Sequence, residues 1–176
     1  MPANVLLLGA ESPLMDRMAQ ALSAQARVSV SFCPGEALAQ ARRSDFDVVV
    51  VNFRDLLETG VLFLRNLKRA NPLTEVITLS VPSTLRYSIE GMKLGAFADL
   101  SMPFEVEEFS ARVAEAWKKK SRAKKGLAAF RRRMESLAAS AAFAEAGQFD
   151  AAVCLSQPAE DSGDEEDRHE QRQGSF

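Results

Sequence analysis

The sequence predicts an α/β fold with one parallel, five-stranded sheet covered by helices on both faces. Three short runs, Val5-Leu6-Leu7-Leu8, Val48-Val49-Val50-Val51 and Val76-Ile77-Thr78-Leu79, are almost continuously hydrophobic, as strands buried on both sides must be. They alternate with longer segments of helical periodicity, the pattern of repeated βα units. A chain of 176 residues that is 47% hydrophobic and 26% charged has enough apolar material for one core and residues to spare.

Strands are expected at Asn4–Leu8, Arg27–Phe32, Asp47–Val51, Glu75–Leu79 and Ala98–Leu100. Between the first two, Ser12 precedes Pro13, a residue suited to the first helical position, and Leu14, Met18 and Leu22 fall on one face. Pro34-Gly35-Glu36 opens a second helix carrying Ala37, Leu38 and Ala41. A third is expected over Gly60–Ala70, with Val61, Leu64 and Leu67 in phase and Asn71-Pro72 as its stop. Ser83 begins a fourth that ends at Gly95, and Pro103-Phe104-Glu105 leads into a fifth with Val106, Phe109, Val113 and Trp117 along one side. Right-handed crossovers and the commonest five-strand arrangement give a flavodoxin-like doubly wound sheet ordered 2-1-3-4-5.

Several chemistries are excluded early. Two cysteines, Cys33 and Cys154, and a single histidine, His169, supply neither a disulfide framework nor a zinc cluster nor a Ser-His-Asp arrangement. The longest apolar runs fall far short of the roughly 20 residues needed to cross a bilayer, and the amino terminus does not read as a secretory signal, so a cytoplasmic protein without membrane contact is expected.

Three stretches together resemble the receiver domain of two-component response regulators: Asp47 to Gly60 as third strand and following loop, Val76 to Ser80 as fourth strand with a terminal hydroxyl, and Gly95 to Phe104 as fifth strand with a Pro-Phe exit. The likeness spans about residues 3–117. It implies a pocket in which an aspartate accepts a phosphoryl group, an acidic pair helps it hold Mg²⁺, and a lysine contacts the phosphoryl oxygens. Such transfer needs a carboxylate nucleophile and concentrated positive charge. At those positions this chain has Asn52, Gly9-Ala10 and Met102 followed by Pro103; Ser80 keeps the switch hydroxyl, and Asp99 stands at the aromatic switch position. Glu11 and Asp55 lie nearby, but two offset carboxylates do not make a phosphorylation site. The expectation is a degenerate pocket with no catalytic residue, no metal and no cofactor, in which Asn52 bonds to nearby backbone and Ser80 caps a strand end.

The resemblance also implies that the fourth helix, fifth strand and fifth helix form an interaction face. Arg86, Lys93, Asp99, Glu107, Glu108 and Arg112 are its charged candidates, for a signalling protein partner or a second copy of the chain.

Past residue 117, two further segments are expected: a helical arm over 118–157 and a disordered acidic tail over 158–176. The arm opens with nine basic residues and no acid, Lys118, Lys119, Lys120, Arg122, Lys124, Lys125, Arg131, Arg132 and Arg133. Such a run attracts phosphates, which makes a nucleic-acid-associated regulator the alternative to a protein adaptor, although no base-reading motif accompanies it. Leu127, Phe130, Met134, Leu137, Ala141 and Ala144 follow at spacings of three and four, a seam expected to pack against a neighbouring helix. Phe143 to Ala152 resembles one tetratricopeptide helix-turn-helix, with a short helix expected over 149–155.

Overall fold

A computed structural model describes the backbone of residues 2–145 and the side chains as far as residue 139. The tail over 158–176, the short helix over 149–155, Cys154, His169 and most of the tetratricopeptide-like segment lie outside the described residues.

Five parallel strands, β1 (Ala3–Leu8), β2 (Ala26–Ser31), β3 (Val48–Asn52), β4 (Glu75–Ser80) and β5 (Ala98–Ser101), form one sheet in the order β2-β1-β3-β4-β5. The helices between them are α1 (Pro13–Ser23), α2 (Pro34–Arg43), α3 (Phe53–Ala70) and α4 (Leu85–Lys93), with a 3₁₀ turn over Pro82–Thr84; α5 runs Val106–Glu145. Alternate residues of each central strand serve opposite cores, because side chains in a strand point to opposite faces. Leu6, Leu8, Val49, Val51 and Val76 join Phe53, Phe63, Leu64 and Leu67 in one layer. Val5, Leu7, Val48, Val50, Ile77 and Leu79 meet Met15, Met18, Leu22, Phe109, Val113 and Ala116 in the other. The doubly wound architecture expected from the sequence is the one observed.

Helix α3 departs from expectation. It starts at Phe53, seven residues before Gly60, and bends at Leu57, whose φ of 46° and ψ of −125° lie outside helical space. One helical turn thus precedes the break, and past it the helix resumes two residues before Gly60, close to the expected start. The Phe53 ring is fully buried between α3 and α4. A methyl group on Gly60 would sit 2.9 Å from its Cδ1, and one on Gly91 3.0 Å from its Cε2. Contacts that short are repulsive, so both helices come this close only by lacking a side chain there. Gly95 ends α4 at φ 90°: its N–H donates to the Met92 carbonyl and that of Ala96 to Gly91, each at 3.0 Å, the paired bonds of a Schellman stop.

The compact unit holding the sheet comprises Met1–Leu127, and a second comprises Ala128–Phe176. Gly126 does not interrupt α5, which also passes residue 118 without a break. Among the described residues no helix is long and apolar enough to cross a membrane.

Candidate functional site

In an open parallel sheet, ligands collect beyond the carboxyl ends of the strands. Here that edge is formed by Gly9 and Ala10 after β1, Asn52 at the end of β3, Ser80 at the end of β4 and Met102-Pro103 after β5. Asn52 is buried and both ends of its amide are engaged. Its Oδ1 accepts from the Arg54 backbone N–H at 3.1 Å, capping α3, and its Nδ2 donates to Asp55 Oδ2 at 2.6 Å. The same Asp55 oxygen accepts the Ala10 N–H at 2.9 Å. A Cβ on Gly9 would lie 3.0 Å from Asn52 Cβ and 3.2 Å from Asp55 Oδ2, so the loop after β1 closes tightly on this pair.

Asp55 therefore ties two loops together. Glu11 is exposed and takes no part. A divalent cation of the magnesium type needs several converging oxygens. Among the described residues no group of three acidic, histidine or cysteine side chains is placed to hold one, and the carboxylate oxygen facing Asn52 already accepts two N–H groups. These residues do not fit the ion that the receiver resemblance implies.

The register of β4 against β5 sets Asp99 directly across from Thr78 and one step from Ser80, on the same face. Its carboxylate accepts from Thr78 Oγ1 at 2.6 Å and from Ser80 Oγ at 2.7 Å. The Ser80 hydroxyl is held by a side chain rather than left as a simple strand-end cap. Met102 packs partly buried beside Phe104 against the α1/α5 core, while its N–H donates to the Ser80 carbonyl at 2.7 Å; Pro103 is exposed.

The six charged candidates for an interaction face differ in their surroundings. Lys93, Glu107 and Glu108 are exposed, Arg112 pairs with Glu115 at 3.1 Å, and Asp99 points inward to its two hydroxyls. Arg86 lies over the Tyr87 ring, 4.4 Å from its centroid, and 4.0 Å from Glu58. Those three residues, with Val61, Leu62, Arg65 and Glu90, line an open cleft of about 370 Å³ between α3 and α4. One feature escaped the sequence reading: Leu85, Ile89 and Met92 form an exposed apolar row on α4. Their spacing of four and three is the sequence signal for such a row.

The basic run divides in two. Lys119 donates to Glu75 at 3.1 Å and sits 5.2 Å from the Phe97 ring centroid. Lys120, only 1% exposed, donates to Asp45 at 2.6 Å and to the Phe46 carbonyl, and lies 3.6 Å from Asp47. Lys124 pairs with Asp45 and comes within 3.7 Å of Asp47. Burial works to raise the Asp45 carboxyl, but hydrogen bonds and charge from Lys120 and Lys124 outweigh it and hold its pKa below the usual value. Conversely the Asp45 hydrogen bond raises Lys124 above its ordinary range, against a smaller cost of burial. Nearby, burial lowers the Lys68 ammonium, which donates to the Thr74 carbonyl at 2.8 Å. Lys120 and Lys124 fasten α5 to the residues that lead into the amino-terminal end of β3, and Lys119 fastens it to the start of β4, at the opposite end of the strands from Asn52. Lys118, Arg122, Lys125, Arg132 and Arg133 make no ion pair among the described residues, while Arg131 pairs with Glu135 at 2.9 Å.

No family model matches the chain. The transcriptional regulatory protein ZraR of Salmonella typhimurium is 26% identical over 89 residues, which cover 51% of this chain and 20% of ZraR. The chain thus spans about one fifth of that curated relative. A response regulator receiver domain protein from Clostridium thermocellum superposes with a TM-score of 0.62 at 25% identity, covering 68% of this chain and 97% of that one. A chain described as adenylate cyclase from Rhodopirellula baltica gives 0.69 at 20% identity, over 74% and 98% respectively. These likenesses place the fold among receiver domains.

Proposed function

We propose that this chain is a non-catalytic signalling adaptor, a receiver-type module that takes no phosphoryl group and works through protein–protein contact. One observation carries the reading: the residue at the acceptor position, Asn52, spends both ends of its amide on Arg54 and Asp55. A neutral amide whose nitrogen lone pair is delocalised is a poor nucleophile. Neither Gly9-Ala10 nor Met102 supplies the charge that a phosphoryl transfer must neutralise. Replacing a charged pocket by Asn, Gly, Ala and Met also removes the repulsion that clustered carboxylates would exert without their ion.

What remains for function is surface. The exposed row Leu85, Ile89 and Met92, bordered by Lys93, offers apolar area with a charged rim, the composition of a protein-docking patch, whether for a signalling partner or a second copy. Nucleic acid is the less suitable partner for the basic run as a whole, because Lys119, Lys120 and Lys124 are neutralised by Glu75, Asp45 and Asp47.

Incubation with acetyl phosphate and Mg²⁺ followed by intact-mass measurement is expected to return the unmodified mass. A species heavier by one phosphoryl group would overturn the reading. Capture of cell partners on the whole chain should weaken when Ile89→Glu is introduced on the α4 row; unchanged capture would remove that row as the surface.

A further inference from the structure

The second half of α5 carries a surface that the pocket-based reading leaves without a role. Phe109, Val113 and Ala116 pack into the core, and the same spacing recurs three heptads later as Phe130, Met134 and Leu137. There the side chains are 62%, 50% and 46% exposed. Phenylalanine, methionine and leucine left about half in water on a regular seam represent unrealised apolar burial.

The width of the seam selects the shape of what covers it. An apolar stripe confined to alternating spacings of three and four is narrow and suits one opposing helix, whereas a lipid surface favours a broad apolar face. The flanks select its charge. Arg131 and Arg133 border the seam on either side and Arg132 lies behind; of these only Arg131 has an acidic partner, Glu135, among the described residues. A second copy suits this poorly: in a parallel pair, Arg133 would face Ala138 and Arg131 would face Gly126, so no cross-helix attraction forms while guanidinium groups accumulate. Nor does the chain's own acidic stretch suit it, since Glu160 to Ser175 contains no apolar residue to fill the seam.

We propose that Phe130, Met134 and Leu137, bordered by Arg131 and Arg133, dock an amphipathic helix of another protein whose apolar seam is flanked by aspartate or glutamate. This stands apart from the fate of the phosphoryl pocket and can fail without affecting it.

The test uses the full chain and a labelled synthetic helical peptide with leucine at the seam positions and glutamate at both flanks, read by fluorescence anisotropy. Its control has lysine at the flanks. The glutamate peptide is expected to bind at least about tenfold more tightly than the lysine peptide, with affinity falling as salt rises. Met134→Glu, an exposed change that circular dichroism should find folded, is expected to lower affinity about tenfold or more, and Arg133→Glu to remove part of the salt dependence. No binding, equal binding of both peptides, or binding indifferent to Met134→Glu would overturn the proposal. So would a dimeric mass by light scattering that Met134→Glu converts to monomer, which would assign the seam to a second copy. Met134-dependent binding to phosphatidylglycerol vesicles that the glutamate peptide fails to displace would assign it to lipid.

Discussion

The carboxylate of Asp99 holds the Ser80 hydroxyl at 2.7 Å, and through the same group it holds Thr78 at 2.6 Å. Both hydroxyls are buried, so their protons have been withdrawn from water and directed to one acceptor. Asp99→Ala should therefore cost about 2 kcal/mol in urea unfolding, and Asp99→Asn, which keeps one carbonyl oxygen, about half as much. Equal stability of all three proteins would show that the clamp contributes nothing.

Restoring an acid at the acceptor position should harm the fold without restoring chemistry. In Asn52→Asp an oxygen replaces the nitrogen that lies 2.6 Å from Asp55 Oδ2, turning a hydrogen bond into a repulsion worth about 1–2 kcal/mol at neutral pH. One carboxyl of the pair then has a raised folded pKa, so the variant gains stability relative to the parent as pH falls through that value. A deficit that stays constant from pH 7 to pH 4, or phosphorylation of the variant by acetyl phosphate, would contradict this account.

Lys120 is buried where Asp45, Asp47 and the Phe46 carbonyl converge. Lys120→Met keeps the volume but removes the buried one of the two cations that face these acids, leaving Lys124 alone against both, and should cost about 2–4 kcal/mol. Adding Asp47→Asn to that variant should recover part of the loss, because fewer uncompensated charges remain; a purely additive double mutant would refute the coupling.

The Asp45–Lys124 pair sets a pH window. A depressed Asp45 contributes stability above its unfolded pKa and loses it as pH falls through the lower folded value. A raised Lys124 contributes below its unfolded pKa and loses it as pH climbs through the higher folded one. The advantage of the parent over Lys124→Met in thermal melts should therefore be level from about pH 5 to 10 and shrink outside it. Both side chains are substantially exposed, so that advantage should stay below about 1 kcal/mol and diminish in 1 M salt.

Leu57 occupies left-handed backbone at φ 46° with a branched side chain that is partly in solvent. Leu57→Gly should raise stability by about 1 kcal/mol, since glycine meets no Cβ clash there. A loss of that size instead would mean that Leu57 is held by contacts worth more than its strain.

Much of the scaffold was legible because burial on two faces writes itself as unbroken apolar runs: β3 and β4 were found within one residue of their observed bounds. The first turn of α3 was not, because the receiver resemblance assigns Phe53 to Thr59 to the loop after the third strand and Gly60 reads as a boundary, whereas its actual neighbour is a phenylalanine ring. The identities at Asn52, Gly9 and Met102 could be read directly, but the Asn52–Asp55–Ala10 bonding could not. Lys119, Lys120 and Lys124 looked like a third of an anion-binding run because their partners lie 44, 75 and 79 residues away. Charge counted along a chain carries no information about such distances, and the inward turn of Asp99 was hidden for the same reason.

Phe53 pressed between Gly60 and Gly91 also constrains how this molecule can diverge. Any larger residue at either glycine collides with the ring, and trimming the ring first opens a void between α3 and α4. Each single step leads downhill in fitness of packing, so the three positions are bound to drift as a set, and a homologue lacking one of them should have exchanged the others.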